Sequence, residues 1–330
     1  MGEPKEVYSK YMSGYSAGDV YCSDANQKQV RTMHNHIYQL VNGRHGRFLV
    51  NPHDQYVGRS LIAYGEWGEA EVRLFEQVLR PGDIAVEVGS NIGSHTVPIS
   101  RAIGKEGVVH AFEPQRLVHQ LLCANLALND CHNVHVRQAA VSNSPGQVEF
   151  CSVPPYHELN YGSISVGQSL GGDSTMEQVS MLTIDTLDLP RLDFLKVDAE
   201  GHDLKVLQGG QSTIARHRPV IFVEVGEQTC DGLSVFFEDN GYDCWVYCTA
   251  LFEEQNFLSN AENIWSHLGY LLVSIDLLAV PREQGWEVSG LPSFRDKINW
   301  KQLPGVDGRN YRDNLHIRRN TTGSSATEKQ

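Results

Sequence analysis

The chain has 330 residues, 41% of them hydrophobic and 20% charged, the balance of a globular protein. Its formal net charge of −13, from 27 basic and 40 acidic side chains, repels nucleic-acid phosphates and favours neutral or cationic small ligands. No run of ~18 apolar residues spans a bilayer, no apolar leader opens the chain, and the seven cysteines include no C-x-x-C pair, so a cytoplasmic protein with free thiols is expected, without a disulfide framework or metal cluster.

Residues 1–45 are polar and form an N-terminal extension, with a helix expected over Gln27–Leu40. Short strands are expected within 47–64, around the turn formers Asn51-Pro52-His53-Asp54. Val72, Phe75 and Leu79 recur at helical spacing and predict a helix over Glu69–Leu79, ended by Arg80-Pro81-Gly82-Asp83. A strand over Ile84–Val88 then runs into a glycine loop and a helix over Ser94–Ile103. Pro98 is tolerated there because a helix start needs no N–H from it.

Regular alternation follows. Strands are expected at Val108–Phe112, Val134–Gln138, Leu192–Val197 and Pro219–Val225, with helices at Gln115–Leu128, His202–Gln208 and Leu233–Asn240. Near-continuous apolar strands alternating with helices predict an α/β fold with a parallel sheet covered on both faces. Tyr242–Cys248 and Tyr270–Val280 close the series as a hairpin-like pair around an insertion at 253–268, with Cys244 and Cys248 on one strand face. Residues 151–177, rich in Gly, Ser and Tyr, read as one long loop, and such loops are often functional. The main domain is therefore set at 46–282, followed by an extension over 283–330 that is disordered from about 320. Within it, His316-Ile317-Arg318-Arg319 is the basic cluster that stands out.

The loop Val86-Glu87-Val88-Gly89-Ser90-Asn91-Ile92-Gly93 tests the ligand class. A dinucleotide loop needs G-x-G-x-x-G so that its backbone can approach a pyrophosphate; here Asn91 and Ser94 stand at the second and third glycine positions. The Walker pattern fails too, because Glu106 follows Gly104-Lys105. Glu113 ends the next strand 24 residues after Gly89, close to the ~20 expected of an acid that accepts ribose hydroxyls. A ribose partner without a phosphate cradle fits S-adenosylmethionine. A nicotinamide-dependent oxidoreductase is the competing enzyme reading, and a partner-binding protein that has lost its chemistry is the non-enzymatic one.

These residues carry a family resemblance. Residues 64–83, 86–96, 109–115, 192–210 and 219–225, with V-E-V-G-x-N-x-G and K-V-D-x-E-G among them, resemble the FkbM family of S-adenosylmethionine-dependent methyltransferases. The resemblance implies a class I methyltransferase (Rossmann-like) fold: a seven-stranded, mostly parallel sheet with helices on both faces and an antiparallel last strand inserted beside its neighbours. It also implies methyl transfer to oxygen, to a hydroxyl of a sugar, a glycan or a secondary metabolite. Asn160-Tyr161-Gly162-Ser163 resembles the family's loop before the fourth strand.

On this reading S-adenosylmethionine is held by Glu87, Gly89, Asn91, Gly93 and Glu113, with the adenine edge near Gln138 and Ala139. The catalytic candidates are Asp198 and Glu200, which position a hydroxyl or take its proton, and His202, whose ordinary pKa suits a base. Glu224, ending the fifth strand, is a further carboxylate within reach of that turn. The carboxylates also have the chemistry to hold a divalent cation, but no metal is predicted. Asp203 is expected only to favour a helix N-terminus.

Overall fold

The computed structural model describes residues 7–9, 37–226, 228–268, 271–294 and 315–319. In chain order the strands are β1 (Val7–Ser9), β2 (Gln39–Gly43), β3 (Gly46–Val50), β4 (Ile84–Val88), β5 (Val108–Phe112), β6 (Val134–Arg137), β7 (Ala139–Val141), β8 (Gly146–Ser152), β9 (Thr175–Leu182), β10 (Phe194–Val197), β11 (Val220–Glu224), β12 (Tyr242–Ala250), β13 (Leu271–Pro281), β14 (Trp286–Ser289) and β15 (His316–Arg319). The helices are α1 (Val57–Tyr64), α2 (Glu69–Val78), α3 (Thr96–Ile103), α4 (Arg116–Leu128), α5 (Asp203–Gln208), α6 (Gln211–His217) and α7 (Cys230–Asp239).

Period two along the central strands builds the layers. Val86, Val88, Leu195, Val197, Ile221 and Val223 turn to one face, against Val206, Leu207, Ile214, Leu233 and Phe237 of α5–α7. Ala85, Val109, Ala111, Phe194 and Phe222 turn to the other, against Leu74, Phe75, Ile99 and Ile103 of α2 and α3. Both faces bury apolar side chains, so the strands read as apolar throughout.

The sheet runs β6-β5-β4-β10-β11-β13-β12. Strands β6, β5, β4, β10 and β11 are parallel. Strand β13 enters antiparallel between β11 and β12, Phe222 facing Leu278 and Trp245 facing Leu278 from the other side. This is the expected seven-stranded class I methyltransferase sheet. The short β1 adds parallel to the start of β13. Chain order reverses at β4, between β5 and β10, and the carboxyl ends of strands at such a point open a crevice.

Several elements differ from the sequence expectation. Residues 57–64 are the helix α1, not a strand. Val57, Leu61 and Tyr64 bury one stripe of it, and the Asp54 carboxylate accepts the N–H groups of Tyr56 and Gly58 at 3.2 and 2.8 Å, satisfying donors that a helix start leaves open. The segment 151–177 is not all loop. Its ends belong to β8 and β9, which pair antiparallel, while β7 pairs parallel with β9. That pairing joins Ala139–Val141 to Ser180–Leu182, a separation that local periodicity does not report.

The division at 45 falls inside the β2–β3 hairpin, where Gly43 faces Gly46. Beyond 282, β14 and β15 pair, and Leu315 and Ile317 pack with Phe75 and Val78 in the α2 layer. The basic cluster 316–319 is thus the strand β15. Residues 27–36 of the expected N-terminal helix, and the expected disorder from 320, lie outside the described residues; Gln39 and Leu40 begin β2. Cys244 and Cys248 are buried on one face of β12. No helix among the described residues is long and apolar enough to cross a membrane.

Candidate active site

The crevice at the carboxyl ends of β4, β5 and β10 is a cleft of about 940 Å³, counted out to its open mouth. Of the residues expected at the donor, Glu87, Gly89, Asn91, Glu113 and Ala139 line it, as do Asp198, Glu200 and His202 of the expected acceptor side. Gly93 and Gln138 do not line it. Gly93 has φ +89° and lies where a Cβ would stand 2.9 Å from Leu122 Cδ1, so its lack of a side chain lets the loop pack on α4. Gln138 is exposed, its amide donating to Pro114 O at 3.4 Å. The wall past β6 is instead made by Ala139, Ala140 and Val141.

The loop after β4 is held by its neighbours. Gly89 takes φ +79°, and a Cβ there would sit 1.9 Å from the Asp198 carbonyl oxygen; this close approach seats the β4 loop on the β10 turn. The N–H groups of Gly89 and Ser90 both donate to Phe112 O at 3.0 Å. Asn91 is left-handed at φ +48°, and its N–H donates to Glu113 Oε2 at 3.0 Å while its own Oδ1 accepts from Ile92 N. Glu113 also accepts from Gln115 N at 2.9 Å. Burial pushes its carboxyl up to about 7 against those two bonds, with Asp198 and Glu87 adding to the rise.

Glu87 is 1% exposed on β4. Its Oε2 accepts from Thr96 Oγ1 at 2.6 Å, whereas Oε1 is buried and has no hydrogen-bond partner among the described residues. Burial holds this carboxyl above its ordinary range, with Lys196 opposing. Lys196, beside it on β10, is 2% exposed and lies 3.4 Å from Asp198 Oδ2. Burial alone would lower that ammonium, but Asp198, Glu87, Glu71 and Asp276 outweigh it and hold it up.

The turn after β10 is strained and clasped. Glu200 is left-handed at φ +50°, a conformation that a non-glycine residue adopts only when its surroundings impose it. Asp203 imposes it, accepting from Ala199 N at 2.8 Å and Gly201 N at 3.1 Å. Its role is therefore the turn itself, beyond a helix-dipole effect. Burial raises its carboxyl to about 6, against the bond from Ala199. One oxygen each of Asp198, Glu200 and Glu224 lies within 4.8 Å of the others, so Glu224 joins the two expected carboxylates.

His202 turns toward Ser142, which follows the Ala139–Val141 wall. Its Nε2 is 2.8 Å from Ser142 Oγ, and burial, then Lys205, lower its pKa. The loop between β8 and β9 roofs the cleft through Asn160 and Gly162. It is pinned by Gln115 Nε2 donating to Tyr161 O at 2.6 Å and Ser165 Oγ donating to Glu200 O at 3.0 Å. Sequence reasoning missed three further side chains that line the cleft: Tyr56, Trp67 and His95. They come from the residue before α1, the α1–α2 turn and the start of α3. The signal was present for His95, which directly follows the glycine loop.

The strand order and the cleft at the reversal point define a class I methyltransferase fold. Residues 87–244, just under half of the chain, match the methyltransferase FkbM domain family. Hexuronic acid methyltransferase AglP of Haloferax volcanii is 30% identical over 174 residues, which is 51% of this chain and 66% of that protein. Methyltransferase sdnD of Sordaria araneosa is 26% identical over 189 residues, 48% of this chain and 73% of that one. The crystal structure of methyltransferase FkbM from Methylobacillus flagellatus KT aligns at 15% identity and a TM-score of 0.39, covering 63% of this chain and 50% of that chain.

Proposed function

We propose that the protein is an S-adenosylmethionine-dependent O-methyltransferase whose acceptor is a hydroxyl of a sugar, a glycan or a secondary metabolite. One observation carries the donor: two buried carboxylates line the same cleft, Glu113 at the ribose position and Glu87 with an orphaned Oε1. A ribose diol donates to the first. An α-ammonium donates to the second, whose buried oxygen is otherwise unsatisfied at a cost of about 1–3 kcal/mol. Gly89 and Asn91 bring backbone against the ligand, and Ala139–Val141 supply an apolar wall for the base.

When bound, S-adenosylmethionine supplies a methyl group activated by its sulfonium. The chain's part is to align the acceptor with it, to exclude water and to receive one proton. Asp198 and Glu200, which line the cleft, bind acceptor hydroxyls, and Tyr56 and Trp67 add to its lining aromatic rings of the kind sugars pack against. The excess of carboxylates over the single lining cation Lys196 favours a neutral acceptor.

Titration calorimetry with S-adenosylmethionine and NADH tests the donor: the first binds and the second does not. Absence of S-adenosylmethionine binding by a folded protein sinks the reading. Transfer of labelled methyl to neutral methyl glycosides and to methyl hexuronides tests the acceptor class.

A further inference from the structure

The carboxylates of the β10 turn do not exhaust the proton acceptors in the cleft. His95 lines it, is 6% exposed, and stands with Nε2 3.6 Å from Glu71 Oε2; Glu71 is itself 5% exposed. The pair joins two elements: Glu71 lies in the first turn of α2, ahead of the matched domain, and His95 caps the start of α3. It is tightly placed. A Cβ on Gly68 would stand 2.5 Å from His95 Nε2, and Phe75 meets the imidazole edge-on at 5.5 Å between centroids.

We infer that His95, oriented and charge-stabilised by Glu71, is the general base that takes the proton of the acceptor hydroxyl. The inference rests on the O-methyltransferase reading above. As the acceptor oxygen forms its bond to the methyl carbon, the carbon–sulfur bond breaks with its electron pair going to sulfur, and the hydroxyl proton passes to the imidazole. S-adenosylhomocysteine and the methyl ether result, and the imidazolium later returns its proton to solvent. Burial alone disfavours a charged imidazole, and a carboxylate behind it offsets that. Glu71 is placed between two cations: it acts on Lys196, as do Asp198, Glu87 and Asp276, and it stands 3.6 Å from His95 Nε2, where it would meet the imidazolium. His202 is the less suitable imidazole, because it is bonded to Ser142 beside the base-binding wall.

Glu71 on α2 is the carboxylate facing His95, and Glu71 in turn acts on Lys196 of β10 together with Glu87 on β4, Asp198 on β10 and Asp276 on β13, so these groups enter the pH dependence of the pair. The test measures kcat and KM against pH with a panel of neutral methyl glycosides and methyl hexuronides, with donor affinity followed by calorimetry. His95→Gln is expected to lower kcat about a hundredfold with donor affinity changed less than threefold. Glu71→Gln is expected to move the acidic limb of the kcat profile downward by about one pH unit, since a neighbouring carboxylate raises an imidazole pKa. If the wild type methylates a probe and His95→Gln keeps kcat within twofold with the same profile, His95 is not the base. If the wild type binds the donor and methylates none of the panel, the acceptor class fails and this inference falls with it.

Discussion

Glu113 shows how much a single side chain does here. Its carboxyl sits at about 7 in the folded protein against an ordinary 4.5. Between those pH values the folded state holds a proton that the unfolded chain releases. Stability therefore falls as pH rises through this window, by about 3 kcal/mol from this group. Asp54 and Asp203, each raised to about 6 by burial, act with the same sign over a lower window. Denaturant unfolding of the ligand-free protein should show a decline from pH 4.5 to 8 that is reduced, not abolished, in Glu113→Gln. If the ribose requires the ionised form, donor affinity should rise about tenfold from pH 6 to pH 8. Calorimetry on Glu113→Gln should then find weaker binding with that dependence gone. Glu113 was legible in the sequence because strand end, acid type and spacing coincide. The orphaned Oε1 of Glu87 was not, since which oxygen is satisfied depends on Thr96 arriving from α3.

At the scale of elements, the β4 loop and the β10 turn act as one unit. Gly89→Ala drives a Cβ into the Asp198 carbonyl and strains a positive φ. A loss of about 3 kcal/mol or more is expected, with donor binding abolished, as read by thermal unfolding and calorimetry. Asp203→Ala removes two bonds to Ala199 and Gly201 and frees Glu200 from its left-handed state. It should cost about 2–3 kcal/mol and lower kcat while changing donor affinity little; a variant with native kcat would show that the clasp does not position the acceptor side. Helix α1 was misread because the turn formers before it suggested short strands. The spacing of Val57, Leu61 and Tyr64 and the capping Asp54 were the better guides. The missing β8 and β9 have a different cause, since their pairing partners are distant in sequence.

For the whole molecule, the β14–β15 pair is part of the core. Ile317 is 4% exposed against the α2 layer, and its N–H donates to Gln77 Oε1 at 3.1 Å. Ile317→Ala should lower stability by about 2–4 kcal/mol, seen as a shift in urea midpoint, with no change in donor affinity at 25 °C because the cleft is on other elements. A neutral effect on stability would mean that the strand pair only rests on the surface. By itself the sequence determined the alternating α/β order, the antiparallel end of the sheet and the glycine loop with an acid at the end of the next strand. These are local patterns: periodicity, glycine placement and an acid at a strand end. Only the tertiary structure decided that the segments on either side of α1 bring Tyr56 and Trp67 to the cleft, that His202 turns to Ser142, and that His95 meets the buried carboxylate of Glu71. Those contacts join segments far apart in the chain, and their geometry is set by packing against the sheet, which no local pattern encodes.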